Sequence, residues 1–289
     1  MKVKILSVVF ILLVLGAKAQ PISKEIADSL ADYEIRLMGL GQMMISTFDE
    51  TTRLTSGKNF IINLARALRV ENSYYYPFDS LKKYVMIKKA PDDAFRIITW
   101  NIATNDEHFR YFGVLQLNPN WIKKQKNKDE YKNFYPLIDR SDSLNTYLFK
   151  QTGPEQWFGA TYYDIVKVSN NKIDYYCLFG WDGHTALSNR KIIDVLTFVN
   201  GKPLFGAPIF DLKQKRIFYR MVWEFSNRAS MTVKYLPKQK VLIYENIVPD
   251  KPANAGNFST YLPDGTFDYL IWKKGIWEKQ PGMYNYAGD

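Results

Sequence analysis

The chain has 289 residues, of which 46% are hydrophobic and 16% aromatic, and 39 basic residues outweigh 29 acidic ones. A chain of this length can bury a large core without covalent staples. Its single cysteine, Cys177, excludes an intramolecular disulfide. With only two histidines, the candidate ligands for a cysteine and histidine zinc site are few and scattered.

Residues 1–19 have the pattern of a cleaved secretory signal. Lys2 and Lys4 precede an apolar run from Ile5 to Leu15, and Ala17-Lys18-Ala19 is a small-x-small cleavage site. The apolar run is shorter than the roughly 20 residues that span a bilayer, so an N-terminal anchor is the less favoured reading. We expect a periplasmic or secreted protein with no stable membrane span after the signal is cleaved.

Two helices are predicted to follow the signal. Apolar residues recur at intervals of three and four between residues 22 and 48, which is typical of an amphipathic helix, and Ser23 is a suitable N-cap. A second helix is predicted from Asn59 to Val70, with Thr55-Ser56-Gly57 as the linker of an antiparallel hairpin. The two helices cannot bury their apolar faces completely against each other, so we expect the hairpin to dock on a sheet.

From Tyr84 onward, short apolar runs separated by turn residues predict β-strands. Asn200-Gly201 and Asp264-Gly265 are typical of two-residue hairpins, and no long helix interrupts the series, which favours an antiparallel sheet. The sequence therefore predicts an α+β fold. Residues 20–80 form a helical segment packed on the sheet, and residues 81–289 form a large antiparallel β region, either a curled sheet or a sandwich, in one compact unit with it.

A repeated segment suggests a different architecture. APDDAFRIITW at 90–100 and LPDGTFDYLIW at 262–272 share Pro-Asp, Phe and Trp at the same spacing, and some propeller blades use Pro-Asp-Gly hairpins. An irregular β-propeller is therefore the alternative fold. A weaker third copy at 236–244 gives separations without a blade-sized period, which favours a recurring turn-and-strand solution.

Four segments carry a family resemblance: FRIITW (95–100), LFGWDG (178–183), RASMTVKY (228–235) and LPDGTFD (262–268). They resemble segments of a family of uncharacterised exported proteins of Bacteroidota-type bacteria. That family has no established activity, so the resemblance implies location and overall build. It carries over no functional residue.

Three side chains are the candidates for catalysis. Asp182 and His184 follow an apolar strand in the sequence GWDGHT and supply an acid and an imidazole, although no Gly-x-Ser-x-Gly motif provides a serine. Glu224, between Trp223 and Phe225, is the carboxylate that a glycosidase would need together with a second one. A simple turn at Asp182-Gly183 and an outward-facing Glu224 remain open as structural alternatives.

No phosphate loop, dinucleotide fingerprint or EF-hand spacing occurs in the chain, so we expect neither a cofactor nor a bound metal. Cys177 lies in an apolar run and is predicted to be buried and inert. The lysine-rich run at 123–130 includes acids and no nucleic-acid motif is present, so no nucleic-acid partner is expected.

The favoured function is non-catalytic binding of an envelope protein, a glycan or a peptide. A hydrolase that works through Asp182 and His184, or through Glu224, is the alternative. The residues alone leave open whether the protein is an enzyme.

Overall fold

The computed structural model describes residues 22–143 and 146–286. The predicted signal peptide, residues 1–19, lies outside these described residues. A helical pair followed by mainly antiparallel sheets confirms the predicted α+β class. Within the described ranges, no helix has the length and apolarity needed to cross a membrane.

The helical hairpin consists of α1 (Lys24–Ser46) and α2 (Glu50–Arg69). Ser23 caps α1 as predicted, because its Oγ accepts a hydrogen bond of 3.3 Å from a backbone N–H of the first turn. Asp49 caps α2 in the same way, accepting from the N–H of Thr52 at 2.7 Å. Such caps satisfy backbone donors that a helix start leaves unpaired.

The predicted boundary of the second helix is wrong. α2 begins well before Asn59, and the expected linker Thr55-Ser56-Gly57 lies inside it. A Cβ on Gly57 would lie 2.3 Å from Cδ1 of Ile102. The glycine therefore serves close packing of the helix on the sheet, which outweighs its cost in helix propensity of about 1 kcal/mol.

Three sheets follow the hairpin. The first sheet has the order β1 (Met86–Lys89), β2 (Phe95–Ala103), β3 (Phe109–Leu117), β4 (Phe134–Ile138), and a four-residue helix α3 (Pro119–Ile122) follows β3. The second sheet contains β5 (Thr161–Asn170), β6 (Ile173–Asp182), β7 (Ser188–Val199), β8 (Lys202–Phe205) and β10 (Met221–Ser226), in the order β10-β7-β6-β5 with β8 paired to β7. The third sheet contains β9 (Phe210–Asp211), β11 (Val233–Leu236), β12 (Val241–Pro249), β13 (Tyr261–Lys273) and β14 (Ile276–Lys279), in the order β11-β12-β13-β14-β9.

The layers stack in series. The helical hairpin covers one face of the first sheet, where Leu64 and Trp100 share a core. The other face packs on the second sheet through residues such as Leu115 and Leu178, and the second sheet packs on the third. The described residues therefore form face-to-face sheets, as in a sandwich, and not the roughly four to eight blades of a propeller.

The two copies of the repeated segment adopt different structures. The first is a turn between β1 and β2, closed by a bond of 2.9 Å from the N–H of Asp93 to the carbonyl of Ala90. The second lies inside β13, so the hairpin predicted at Asp264-Gly265 is wrong. The pairing with β12 shifts register there and Gly265 has φ +79°, which makes the segment a β-bulge.

Candidate functional site

The three candidate catalytic residues meet around one arginine. Arg190 of β7 stands opposite Asp182 of β6 on one side and opposite Glu224 of β10 on the other. Residues directly opposite each other in antiparallel strands share a face of the sheet. The register therefore places an acid, a guanidinium and an acid in one row across three strands, on the face that turns towards the first sheet.

We call Asp182, His184, Ser188, Arg190 and Glu224 the Arg190 cluster. Nε and Nη2 of Arg190 donate to Oε2 of Glu224 at 3.0 and 2.9 Å, and Nη1 lies 3.8 Å from Oδ2 of Asp182. Nη2 also donates to Nε2 of His184 at 2.7 Å. Ser188 Oγ donates to Oε1 of Glu224 at 2.8 Å. Because a guanidinium only donates, Nε2 of His184 must accept, which requires a neutral imidazole.

Two members of the Arg190 cluster have pKa values that differ from the ordinary ones. Burial raises the pKa of Asp182 to about 7, against the opposing effects of Arg190 and Tyr111, and repulsion from Asp139 and Glu224 adds to the rise. Burial and then the charge of Arg190 lower the pKa of His184. The carboxyl of Asp182 is therefore protonated far more readily than that of an ordinary aspartate, and it lies beside a neutral imidazole.

The loop after β6 is fixed to the first sheet. The N–H of Gly183 donates to the hydroxyl of Tyr111 at 2.7 Å, and Nδ1 of His108 donates to the carbonyl of His184 at 3.1 Å. Both histidines of the chain therefore lie at this contact between sheets. The bonds hold the Arg190 cluster against the hairpin that joins β2 and β3.

The bonds of the Arg190 cluster do not pair its serine with its histidine. Ser188 donates to Glu224, and the accepting nitrogen of His184 is occupied by Arg190. A serine hydrolase of the usual kind needs a hydrogen bond between the serine hydroxyl and the imidazole. In residues 22–143 and 146–286, no group of three His, Cys, Asp or Glu side chains is arranged to hold a metal ion.

A cavity of about 670 Å³ lies on the opposite face of the first sheet, between α2 and strands β3 and β4. We call it the α2 groove. Its lining is mainly apolar and aromatic: Ile61, Leu64, Ala65, Leu68, Trp100, Phe109, Tyr111, Phe112, Gly113, Val114, Phe134, Pro136, Leu137 and Ile138, with Arg110, Asp139 and Asp142 as its charged members. The described residues that line the groove do not include Asp182, His184 or Glu224.

The α2 groove exposes apolar side chains that a neighbour would ordinarily cover. Ile61 on α2 is 38% exposed and Ile138 at the end of β4 is 46% exposed. Behind them, the ring of Phe112 stacks on Trp100 with a centroid separation of 5.8 Å. A concave apolar surface with a few polar groups at one place is typical of a ligand site.

The polar end of the α2 groove adjoins the Arg190 cluster at the rim of the first sheet. Tyr111 lines the groove and also accepts the Gly183 bond. Asp139 Oδ1 accepts bonds of 2.9 Å from the N–H of Ser141 and 3.2 Å from that of Gly159, which fixes the carboxylate. Its charge contributes to the raised pKa of Asp182. The two regions are therefore close enough for their charges to interact.

Neither protein-family models nor curated protein sequences give a match to the chain. The resemblance to exported proteins of Bacteroidota-type bacteria stays a prediction.

Proposed function

We propose that this protein is an exported, non-catalytic binding protein that holds the apolar part of its ligand in the α2 groove. The observation that carries the proposal is the open cavity of about 670 Å³ with a mainly apolar and aromatic lining. This volume lies within the roughly 300–1,000 Å³ of small-molecule sites. A glycan would need polar partners along its whole length. The mainly apolar lining therefore supports an apolar or amphipathic ligand and not a glycan.

The export part of the proposal depends on the signal pattern of residues 1–19. It would put the protein in the periplasm or outside the cell. The ligand would then be a component of the envelope or a molecule that passes through it.

The hydrolase alternative uses the Arg190 cluster and makes a different prediction. It requires Asp182, His184 or Glu224 to face a substrate, whereas these side chains are bonded within the cluster and do not line the cavity. This supports binding over hydrolysis. A hydrolase would lose turnover in Asp182→Asn and His184→Gln variants, while a binding protein with these substitutions would keep its affinity in the α2 groove.

The proposal is tested by filling the groove. Ala65 lines the groove, whereas Ile62 lies on the same helix outside it and is 48% exposed. Ala65→Phe should weaken binding of the neutral fluorescent probe N-phenyl-1-naphthylamine by about tenfold or more, because the added ring occupies the space of the ligand. Ile62→Phe is the matched control and should bind as the unmodified protein does.

Circular dichroism and urea denaturation must show that both variants are folded. Equal probe affinity in a folded Ala65→Phe variant would contradict the proposal, as would failure of the unmodified protein to bind the probe.

A further inference from the structure

We propose that the ligand of the α2 groove is a small cationic amphiphile, with an apolar chain or ring along α2 and an ammonium group at Asp139 and Asp142. The inference rests on the proposed function, because it names the class of molecule that the groove accepts. It adds a chemical selectivity that an apolar cavity alone would not have.

The charged lining residues lie at one end of the groove. In the register of the first sheet, Ile138 stands opposite Phe112, and Phe134 stands further along β3, opposite Gln116. Asp139 and Asp142 come after Ile138, and Arg110 lies near the start of β3. The polar end is therefore the Arg110 end of the strands, which fixes where the head of a ligand lies.

The opposite end of the groove is apolar. Val114, Phe134 and Leu68 line it, and Leu68 is on the last turn of α2. Val114 is four residues from Arg110 along β3, about 13 Å at the usual rise of a strand. A linear molecule with one polar head and an apolar body of about eight carbons fits this separation.

The sign of the charge at the polar end favours a cation. Two carboxylates, Asp139 and Asp142, stand against one guanidinium, Arg110, in the lining. The field of Asp139 also raises the pKa of Asp182, and the field of Asp142 acts on His184 in the direction that favours its protonation. Within the groove lining, the excess of carboxylates therefore disfavours a further anion and favours a cation.

This acidic end contrasts with the rest of the molecule, because the whole chain has a net charge of +10. An anionic ligand would find many basic residues elsewhere on the surface, but in the groove its head would face two aspartates. A local potential that opposes the overall charge gives selectivity for ligands of one sign.

The test uses three molecules with the same chain: octylammonium, octanol and octanoate, titrated calorimetrically at neutral pH below their aggregation limits. Octylammonium should bind about fivefold more tightly than octanol, and octanoate should bind least, because a partly exposed charge pair contributes up to about 1 kcal/mol. In a variant with Asp139→Asn and Asp142→Asn, the preference for octylammonium should vanish while the affinity for octanol remains. Asn at position 139 keeps the Oδ1 acceptor that fixes the turn.

Asp264→Asn is the matched control. Asp264 Oδ1 accepts a hydrogen bond of 2.8 Å from the N–H of Thr266, two residues later in the chain. Asp139 Oδ1 accepts the equivalent bond from the N–H of Ser141. Asp264 lies in the third sheet, outside the groove lining, so the same loss of charge there should leave the preference for octylammonium intact.

The outcomes separate the two proposals. If none of the three molecules binds, the proposed function fails. If all three bind with equal affinity, or octanoate binds best, groove binding stands and the cationic ligand is overturned. A preference for octylammonium that persists in the double variant would overturn the assignment to Asp139 and Asp142.

Discussion

The α2 groove and the Arg190 cluster lie on opposite faces of the first sheet and meet at one rim, but they are built in opposite ways. In the cluster, each ionisable side chain already has a partner at hydrogen-bond or ion-pair distance. In the groove, apolar side chains such as Ile61 and Ile138 remain exposed. Residue types associated with catalysis are thus bonded to one another within the fold, while the open surface beside them is apolar.

Removing the arginine of the Arg190 cluster should have the greatest effect on stability. Arg190→Met should lower the free energy of unfolding by about 3 kcal/mol, because it leaves Asp182 and Glu224 in one row without the cation between them. Urea denaturation at neutral pH measures this loss. Binding of the neutral probe to the folded variant should stay within about twofold of the unmodified protein.

Arg66→Met provides the control for Arg190→Met, since Arg66 is an exposed arginine on α2. It should change the free energy of unfolding by less than about 0.5 kcal/mol. Similar losses in the two variants would mean that Arg190 has no special structural role.

The second effect is a pH dependence that belongs to Asp182. Its pKa in the folded protein is about 7, above its ordinary value of 3.8. Its contribution to stability is therefore fully present below about pH 4 and is lost as the pH rises through 7. Asp182→Asn removes this dependence.

Urea denaturation at several pH values checks the prediction for Asp182. Relative to the Asp182→Asn variant, the unmodified protein should lose on the order of 2 kcal/mol between pH 5 and pH 8. His184, whose pKa is lowered, contributes in the opposite sense: its stabilisation is present above about pH 6.5 and is lost at lower pH. A stability difference between the two proteins that is the same at both pH values would contradict the raised pKa.

A polar substitution at the exposed edge of the α2 groove should affect binding more than stability. Ile138→Ser should change the free energy of unfolding by no more than about 0.5 kcal/mol, because the side chain is nearly half exposed. The same substitution should weaken binding of N-phenyl-1-naphthylamine severalfold, since it removes apolar surface from the lining. A large loss of stability with unchanged affinity would reverse the roles assigned to the two regions.

The parts of the fold that were predictable are those with a local signal. Apolar residues at intervals of three and four predicted α1, and short apolar runs between turn residues predicted the strands that follow Tyr84. Gly57 was misread as a linker because its reason for being glycine, the contact with Ile102, lies in a strand far along the chain. β4 has no comparable signal in the sequence, because Pro136 interrupts its pattern, which a strand at the edge of a sheet tolerates.

The site was predicted in part. Residue type alone predicted Asp182, His184 and Glu224 as candidates, with Asp182 and His184 as one alternative and Glu224 as the other. It gave no reason to include Arg190. Only the register of β6, β7 and β10 shows that one arginine lies between both acids. β7 and β10 are separated along the chain by β8 and β9, so no local pattern states that they pair. The sequence does not predict the α2 groove either, because the groove depends on how α2 lies relative to β4, whose pattern Pro136 interrupts.

The single cysteine has a practical consequence for following the motions of this protein. Cys177 lies in β6 of the central sheet with no exposed surface, and burial raises the pKa of its thiol to about 12. A thiol reagent can reach it only after the neighbouring sheets separate. Because Cys177 packs in the core between the second and third sheets, the rate of labelling under native conditions reports the separation of these two sheets, and it requires no engineered probe.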